Sequence, residues 1–135
     1  KLKVILTTNH NEIEKFFLES KFALVCSGTA SLEIAKRNIP QLVIYKLNLF
    51  TEIFLKIITK IRYANIINII ENKMIIPEIT NSNLTKKTFL LEFSKLISNN
   101  HLNKNQIDNI NKTLPKIHSE KPPYDIAVEK ISQYL

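Results

Sequence analysis

A chain of 135 residues that contains a single glycine has one place where its backbone is free of side-chain restriction, and here that place is a junction. Gly28 falls in Ser27-Gly28-Thr29-Ala30-Ser31-Leu32-Glu33, directly after the apolar run Phe22-Ala23-Leu24-Val25-Cys26. A glycine kept between a strand-like run and a helix-like one implies either a positive φ or room for another backbone or a ligand to approach.

The segments around it alternate. Val4 to Thr8 is a short β-branched run ended by Asn9-His10-Asn11 and reads as a strand. Glu12 to Ser20 places Ile13, Phe16 and Phe17 at i, i+3, i+4 and reads as a helix. Phe22 to Cys26 is apolar throughout, the pattern of a strand buried on both faces of a parallel sheet. The next helix is expected from Thr29 to about Arg37, with Ser27 as its N-cap and Asn38-Ile39-Pro40 as its stop. Gln41 to Lys46 is a third strand. Phe50 to Ile61 carries the strongest helical periodicity. Ala64 to Pro77 is rich in Ile and Asn and stays ambiguous. Leu84 to Ser98, Lys104 to Lys116 and Tyr124 to Leu135 read as three helices, with breaks at Pro115 and Pro122-Pro123. The expected class is α/β, a parallel Rossmann-like sheet with flanking helices and a helical C-terminus, formed as one unit of residues 1–135.

Composition narrows the function. The hydrophobic content of 44% suits a packed domain, not a disordered chain. The formal charge of +7 arises in a sequence dominated by Ile, Asn and Lys, with only two arginines, Arg37 and Arg62. A nucleic-acid surface draws on Arg and clustered aromatics, so no nucleic-acid partner is expected. Cys26 has no partner for an internal disulfide, and its apolar neighbours predict a buried thiol. No apolar stretch reaches the ~18 to 20 residues of a membrane span, so a soluble or membrane-peripheral chain is expected. Asp108 and Asp125 are the only aspartates, and His10, His101 and His118 lack ligand spacing, so neither a metal nor another cofactor is expected.

Chemistry concentrates at Ser27 to Glu33. In parallel α/β folds ligands sit beyond the carboxyl ends of the strands, where a starting helix directs free amides and a partial positive charge at them. Gly28 lets a phosphate approach, and the Ser27 and Thr29 hydroxyls can donate to it, which describes a diphosphate site. Glu33 lies one turn past Thr29, about 6 Å along the axis, and either accepts sugar hydroxyls or only complements the helix dipole.

Four separated patches, in order, resemble one family. Ser27-Gly28-Thr29-Ala30-Ser31-Leu32-Glu33, then Pro40-Gln41-Leu42-Val43-Ile44-Tyr45-Lys46, then Phe50-Thr51, then Tyr63 with Asn68-Ile69-Ile70, are similar to the C-terminal region of the lipid-A-disaccharide synthases, glycosyltransferases of the GT-B type. The resemblance covers nearly the whole chain and weakens after about Thr80. It implies UDP binding by Ser27, Gly28, Thr29, Glu33, Asn68 and Tyr45. It also implies transfer of a diacylglucosamine from its UDP carrier to a diacylglucosamine 1-phosphate lipid acceptor. No catalytic residue is expected in this segment, because the family's acceptor site and proposed catalytic groups belong to an N-terminal domain that the sequence does not include. The chain therefore reads as a partial nucleotide-sugar-binding domain, inactive alone, in a cytoplasmic enzyme that is peripheral at the inner membrane, with Phe50 to Ile61 as a membrane-contact or core-packing helix.

The sequence departs from the family at Ile67 for a proline, at Lys46 for an arginine, and at Glu71-Asn72-Lys73 for Ala-Gly-Arg. Without the resemblance, Tyr45 reads as a core tyrosine and Asn68 as one of many asparagines. The competing function is a non-catalytic truncated module that binds a nucleotide or a partner.

Overall fold

The computed structural model describes residues 3–26, 28–46, 62–117 and 121–134. Three parallel strands, β1 (Ala23–Cys26), β2 (Gln41–Tyr45) and β3 (Glu78–Thr80), form a sheet in the order β1-β2-β3. The register pairs Ala23 with Gln41 and Cys26 with Ile44, then Val43 with Glu78 and Tyr45 with Thr80. Helices α1 (His10–Glu19), α2 (Thr29–Lys36), α3 (Ile66–Glu71), α4 (Lys86–Ser98), α5 (Asn100–Ile117) and α6 (Pro123–Ile131) surround it. The α/β class with a helical C-terminus is as expected.

The side chains divide by sheet face. On one face Val43 packs with Ala35 of α2, Ile67 of α3, Ile76 and Ile110 of α5, all fully buried. On the other, Leu42 and Ile79 meet Leu96 of α4, with Phe89 and Phe93 stacked beside them. Val25, Ile34 and Ile39 form a third cluster under Phe17 of α1. The alternation of Leu42, Val43 and Ile44 across β2 is what lets one strand serve two cores.

Asparagines end two of the helices. Asn38 takes φ 56 after α2, and the Asn38 and Ile39 amides return to Ala35 and Ile34 at 3.0 and 3.3 Å. Asn72 takes φ 47 after α3, and its amide and that of Lys73 return to Ile69 and Asn68 at 3.2 and 3.1 Å. These are Schellman closures, in which a left-handed residue lets the last carbonyls find donors. Asparagine is the non-glycine residue that best tolerates this backbone.

Several sequence expectations are corrected. Val4 to Thr8 is not a strand: Val4, Ile5 and Leu6 are exposed, and the Asn9 amide donates to the Thr7 hydroxyl, which also bonds Glu12. These local bonds turn the chain into α1 in place of a ladder. β1 is not buried on both faces. It is the edge strand of the described sheet, with Leu24 and the Cys26 thiol exposed, so the buried-thiol expectation fails as well. Gln41 to Lys46 does hold a strand, the second of the described sheet, and the third described strand, Glu78–Thr80, lies just past the ambiguous Ala64 to Pro77 in a stretch assigned to no element. Pro115 does not break its helix, which runs two residues further to Ile117. A proline within a helix forfeits one amide bond, and here the helix continues past it. The Phe50 to Ile61 helix lies outside the described residues.

Candidate functional site

The three strands end at Cys26, Tyr45 and Thr80 along one edge, and Gly28 lies just past the first of them. Its φ of 126° and ψ of −157° belong to a region that only glycine enters freely. Among the described residues, chain neighbours aside, no atom lies within 4 Å of the position a Cβ would take. Of the two reasons for a glycine, both are therefore met: the backbone needs it and the space before it is open. Gly28 is the N-cap of α2, and its carbonyl accepts from the Ser31 amide at 3.2 Å. This corrects the assignment of Ser27 as the cap, since the first helical residue is Thr29; Ser27 itself lies outside the described residues.

Among the described residues no side chain caps the start of α2, and Gly28, Thr29 and Ala30 are all exposed. By contrast α1, α3 and α4 are closed by Asn9, Asn65 and Thr85, whose side chains accept from amides of their first turns. An uncapped first turn at the carboxyl edge of a parallel sheet presents amides and the helix dipole to solvent.

Glu33 is half exposed one turn along α2, and its carboxylate lies 3.2 Å from Arg37 Nη1. Arg37 also reaches Glu14 of α1 at 2.5 Å and lies over the Phe17 ring at 4.5 Å from its centroid. The Arg37 hydrogen bond holds the Glu14 carboxyl below its ordinary range, and Glu14 in turn raises Arg37. Tyr45 is half-buried at the end of β2, opposite Thr80. Gly28, Thr29 and Tyr45 thus share the carboxyl edge of the sheet.

Asn68 is elsewhere. It is fully buried inside α3, where Oδ1 accepts from the Ile75 and Ile76 amides at 2.8 and 2.9 Å and Nδ2 donates to the Ile76 carbonyl at 2.7 Å. Its side chain ties α3 to the segment that enters β3.

A buried polar network escaped the sequence reading. Ser31 Oγ donates to Gln41 Oε1 at 2.8 Å and accepts from Asn65 Nδ2 at 2.6 Å, while Gln41 Nε2 donates to the Ser31 carbonyl at 3.0 Å. The Gln106 carboxamide takes both backbone groups of Gln41 on the β3 side, at 2.8 and 3.1 Å, extending the ladder where β3 does not reach. Glu78 in β3 accepts from the Ala64 and Asn65 amides at 2.9 to 3.1 Å. The first turn of α2 is therefore braced from below by β2 and from the side by the start of α3. The only sequence signal was a polar Gln41 at the head of the apolar run Leu42-Val43-Ile44; Gln106 lies in a polar stretch and gave none.

Residues 1–129 match the family described as lipid-A-disaccharide synthetase, a span that includes every candidate position. The chain belongs to the lipid-A-disaccharide synthetase family. It is 35% identical over 125 residues to the lipid-A-disaccharide synthase of Rickettsia prowazekii, covering 91% of this chain and 33% of the relative. The enzyme of that name from Rickettsia bellii is 36% identical over 103 residues, 76% of this chain and 27% of the relative. Lipid-A-disaccharide synthase 1 of Legionella pneumophila is 35% identical over 96 residues, 71% of this chain and 24% of the relative. The chain spans about a third of the length of the first of these relatives. No solved structure matches it at a significant level. Among the described residues no helix is long and apolar enough to cross a membrane, and no cluster of His, Cys, Asp and Glu is placed to hold a metal ion.

Proposed function

We propose that this member of the lipid-A-disaccharide synthetase family forms the UDP-binding part of a glycosyltransferase that joins a UDP-activated diacylglucosamine to a diacylglucosamine 1-phosphate acceptor. The observation that carries the reading is the exposed, uncapped start of α2, opened by Gly28 at the carboxyl edge of a parallel sheet. A diphosphate seated there receives the first-turn amides and the Thr29 and Ser27 hydroxyls, and a ribose beyond it meets Glu33. Tyr45 flanks the site from β2. Asn68, buried as it is, serves by shaping the segment between α3 and β3.

The reaction is displacement of UDP at the anomeric carbon by an acceptor hydroxyl, and negative charge grows on the leaving diphosphate. Fixed amides at a helix start stabilise that charge without reorganising, because the folded chain has already oriented them. The acceptor site and the proton-accepting group come from a further domain, so this segment binds the donor and does not turn it over alone. The reading places the enzyme in the cytoplasm, at the inner-membrane face where its lipid substrates lie, with Phe50 to Ile61 as a contact that flotation with anionic vesicles at low salt would test.

Calorimetric titration of UDP into the chain and into Glu33→Ala, at low salt without metal, tests the site. Binding that weakens about tenfold in the variant is expected, the loss of charge-assisted bonds to two sugar hydroxyls. Equal affinity in both would remove Glu33 from the site.

A further inference from the structure

Arg37 ties the candidate sugar-binding carboxylate to a second element. Its Nη1 lies 3.2 Å from Glu33 Oε1 and donates to the Glu33 carbonyl at 3.3 Å. Its Nη2 reaches Glu14 Oε1 on α1 at 2.5 Å, and its guanidinium carbon stands 4.5 Å from the Phe17 ring centroid. A planar fork with one arm on each of two carboxylates and a face on an aromatic ring has a single orientation. An i, i+4 pair on an exposed helix is by itself weak and mobile. Here the arginine side chain is only 29% exposed and anchored on a neighbouring helix, which fixes the end that Glu33 contacts.

Only one Glu33 carboxylate oxygen is engaged by Arg37, and among the described residues the other has no partner. Thr29, Glu33 and Arg37 follow one another at single-turn intervals along one face of α2 and its C-cap. A carboxylate one turn from a bound diphosphate is repelled by it, and a guanidinium one turn further on the same face offsets that repulsion.

We propose, on the reading of the site given above, that Arg37 is a positioning residue for sugar recognition. It holds Glu33 Oε1, balances its charge beside the diphosphate, and leaves Oε2 to accept the ribose hydroxyls of a nucleoside diphosphate. Glu14 and Phe17 of α1 act one step further back, by holding Arg37.

The test is a comparison of UDP with 2′,3′-dideoxy-UDP by calorimetry on the full chain and on Arg37→Ala, Arg37→Lys and Glu14→Gln. The unsubstituted chain is expected to prefer UDP by about tenfold. Arg37→Ala should reduce the preference to about threefold or less: both nucleotides lose the charge balance at the diphosphate, but only UDP loses the oriented acceptor for its hydroxyls, a split that a general loss of structure does not produce. Arg37→Lys, which cannot fork between two carboxylates, should behave like Arg37→Ala and supplies the same comparison if the alanine variant does not fold. Glu14→Gln keeps an acceptor for Nη2 and should retain most of the preference. An undiminished preference in the Arg37 variants overturns the inference and leaves the nucleotide site standing. Absence of UDP binding by the unsubstituted chain overturns both, and equal affinity for the two nucleotides removes the role of Glu33 and with it that of Arg37.

Discussion

Replacing Asn68 by alanine removes the side chain that spans the turn between α3 and β3. Three backbone groups lose their partner: the amides of Ile75 and Ile76, bonded at 2.8 and 2.9 Å, and the Ile76 carbonyl, bonded at 2.7 Å. Asn68 and Ile76 are both 0% exposed, so bulk water does not replace what is lost. Ile75 is half-buried and its amide can recruit solvent, which leaves the two Ile76 groups to set the scale. An unsatisfied buried group costs about 1–3 kcal/mol, so the pair costs about 2–6 kcal/mol. Domains are stable by about 5–15 kcal/mol, and the change removes a large part of that. In urea, with a slope of about 1.5 kcal/mol per M, a loss of about 3 kcal/mol lowers the midpoint by about 2 M. Asn68→Asp should not restore it, because a carboxylate offers acceptors to both amides but sets an oxygen against the Ile76 carbonyl. At temperatures where Asn68→Ala is still folded, UDP affinity should change by less than about threefold. A stability loss under about 1 kcal/mol combined with lost UDP binding would refute the reasoning and make Asn68 a ligand contact.

Gly28→Ala should destabilise by about 1–3 kcal/mol through backbone strain, since an added Cβ meets nothing within 4 Å among the described residues. Thermal melting should show a fall of about 3–12 °C, and a midpoint within about 1 °C of the parent would contradict the assigned conformation. Acid should weaken the fold through Glu71 and Glu14. Glu71 is held below its ordinary value of 4.5 by the Lys116 ammonium and the Thr113 hydroxyl, and Glu14 by Arg37. A lowered folded-state pKa means a contribution that is complete above the unfolded value and lost as pH falls through the lower one. Urea midpoints should therefore decline as pH drops below about 4.5. Glu71→Gln should decline less steeply, and an identical slope in that variant would remove the ion pair from the account.

The sequence revealed what rests on periodicity and hid what rests on partners. β2 and the helices at Thr29 and Leu84 were legible because apolar spacing and stop residues act locally. β3 was not, since Glu78-Ile79-Thr80 buries only Ile79 and follows a proline, too short a pattern to separate from loop. Val4 to Thr8 has the composition of a strand, yet Thr7 and Asn9 spend their hydrogen bonds on the start of α1. The open edge at Gly28 was legible from the glycine itself. The brace beneath it was hidden, because Ser31, Gln41, Asn65 and Gln106 lie far apart in the chain and each looks like an ordinary polar residue until the fold buries them together.

The single glycine and the many asparagines answer one physical question in two ways. Among the described residues three non-glycine residues take a positive φ, Asn38 at 56°, Asn72 at 47° and Asn81 at 45°. All three sit in or near the small left-handed well, which an asparagine enters at modest cost because its short polar side chain bonds locally. A sequence rich in asparagine can therefore close helix ends without glycine, as at Asn38 and Asn72. Gly28 is different in kind. At φ 126° and ψ −157° it lies far outside that well, where a Cβ of any L-residue is strained however empty the surroundings. Asparagine is no substitute there, so the turn from β1 into α2 requires glycine at this one place. The one glycine thus marks the junction whose backbone shape, more than any side chain, makes the proposed diphosphate site.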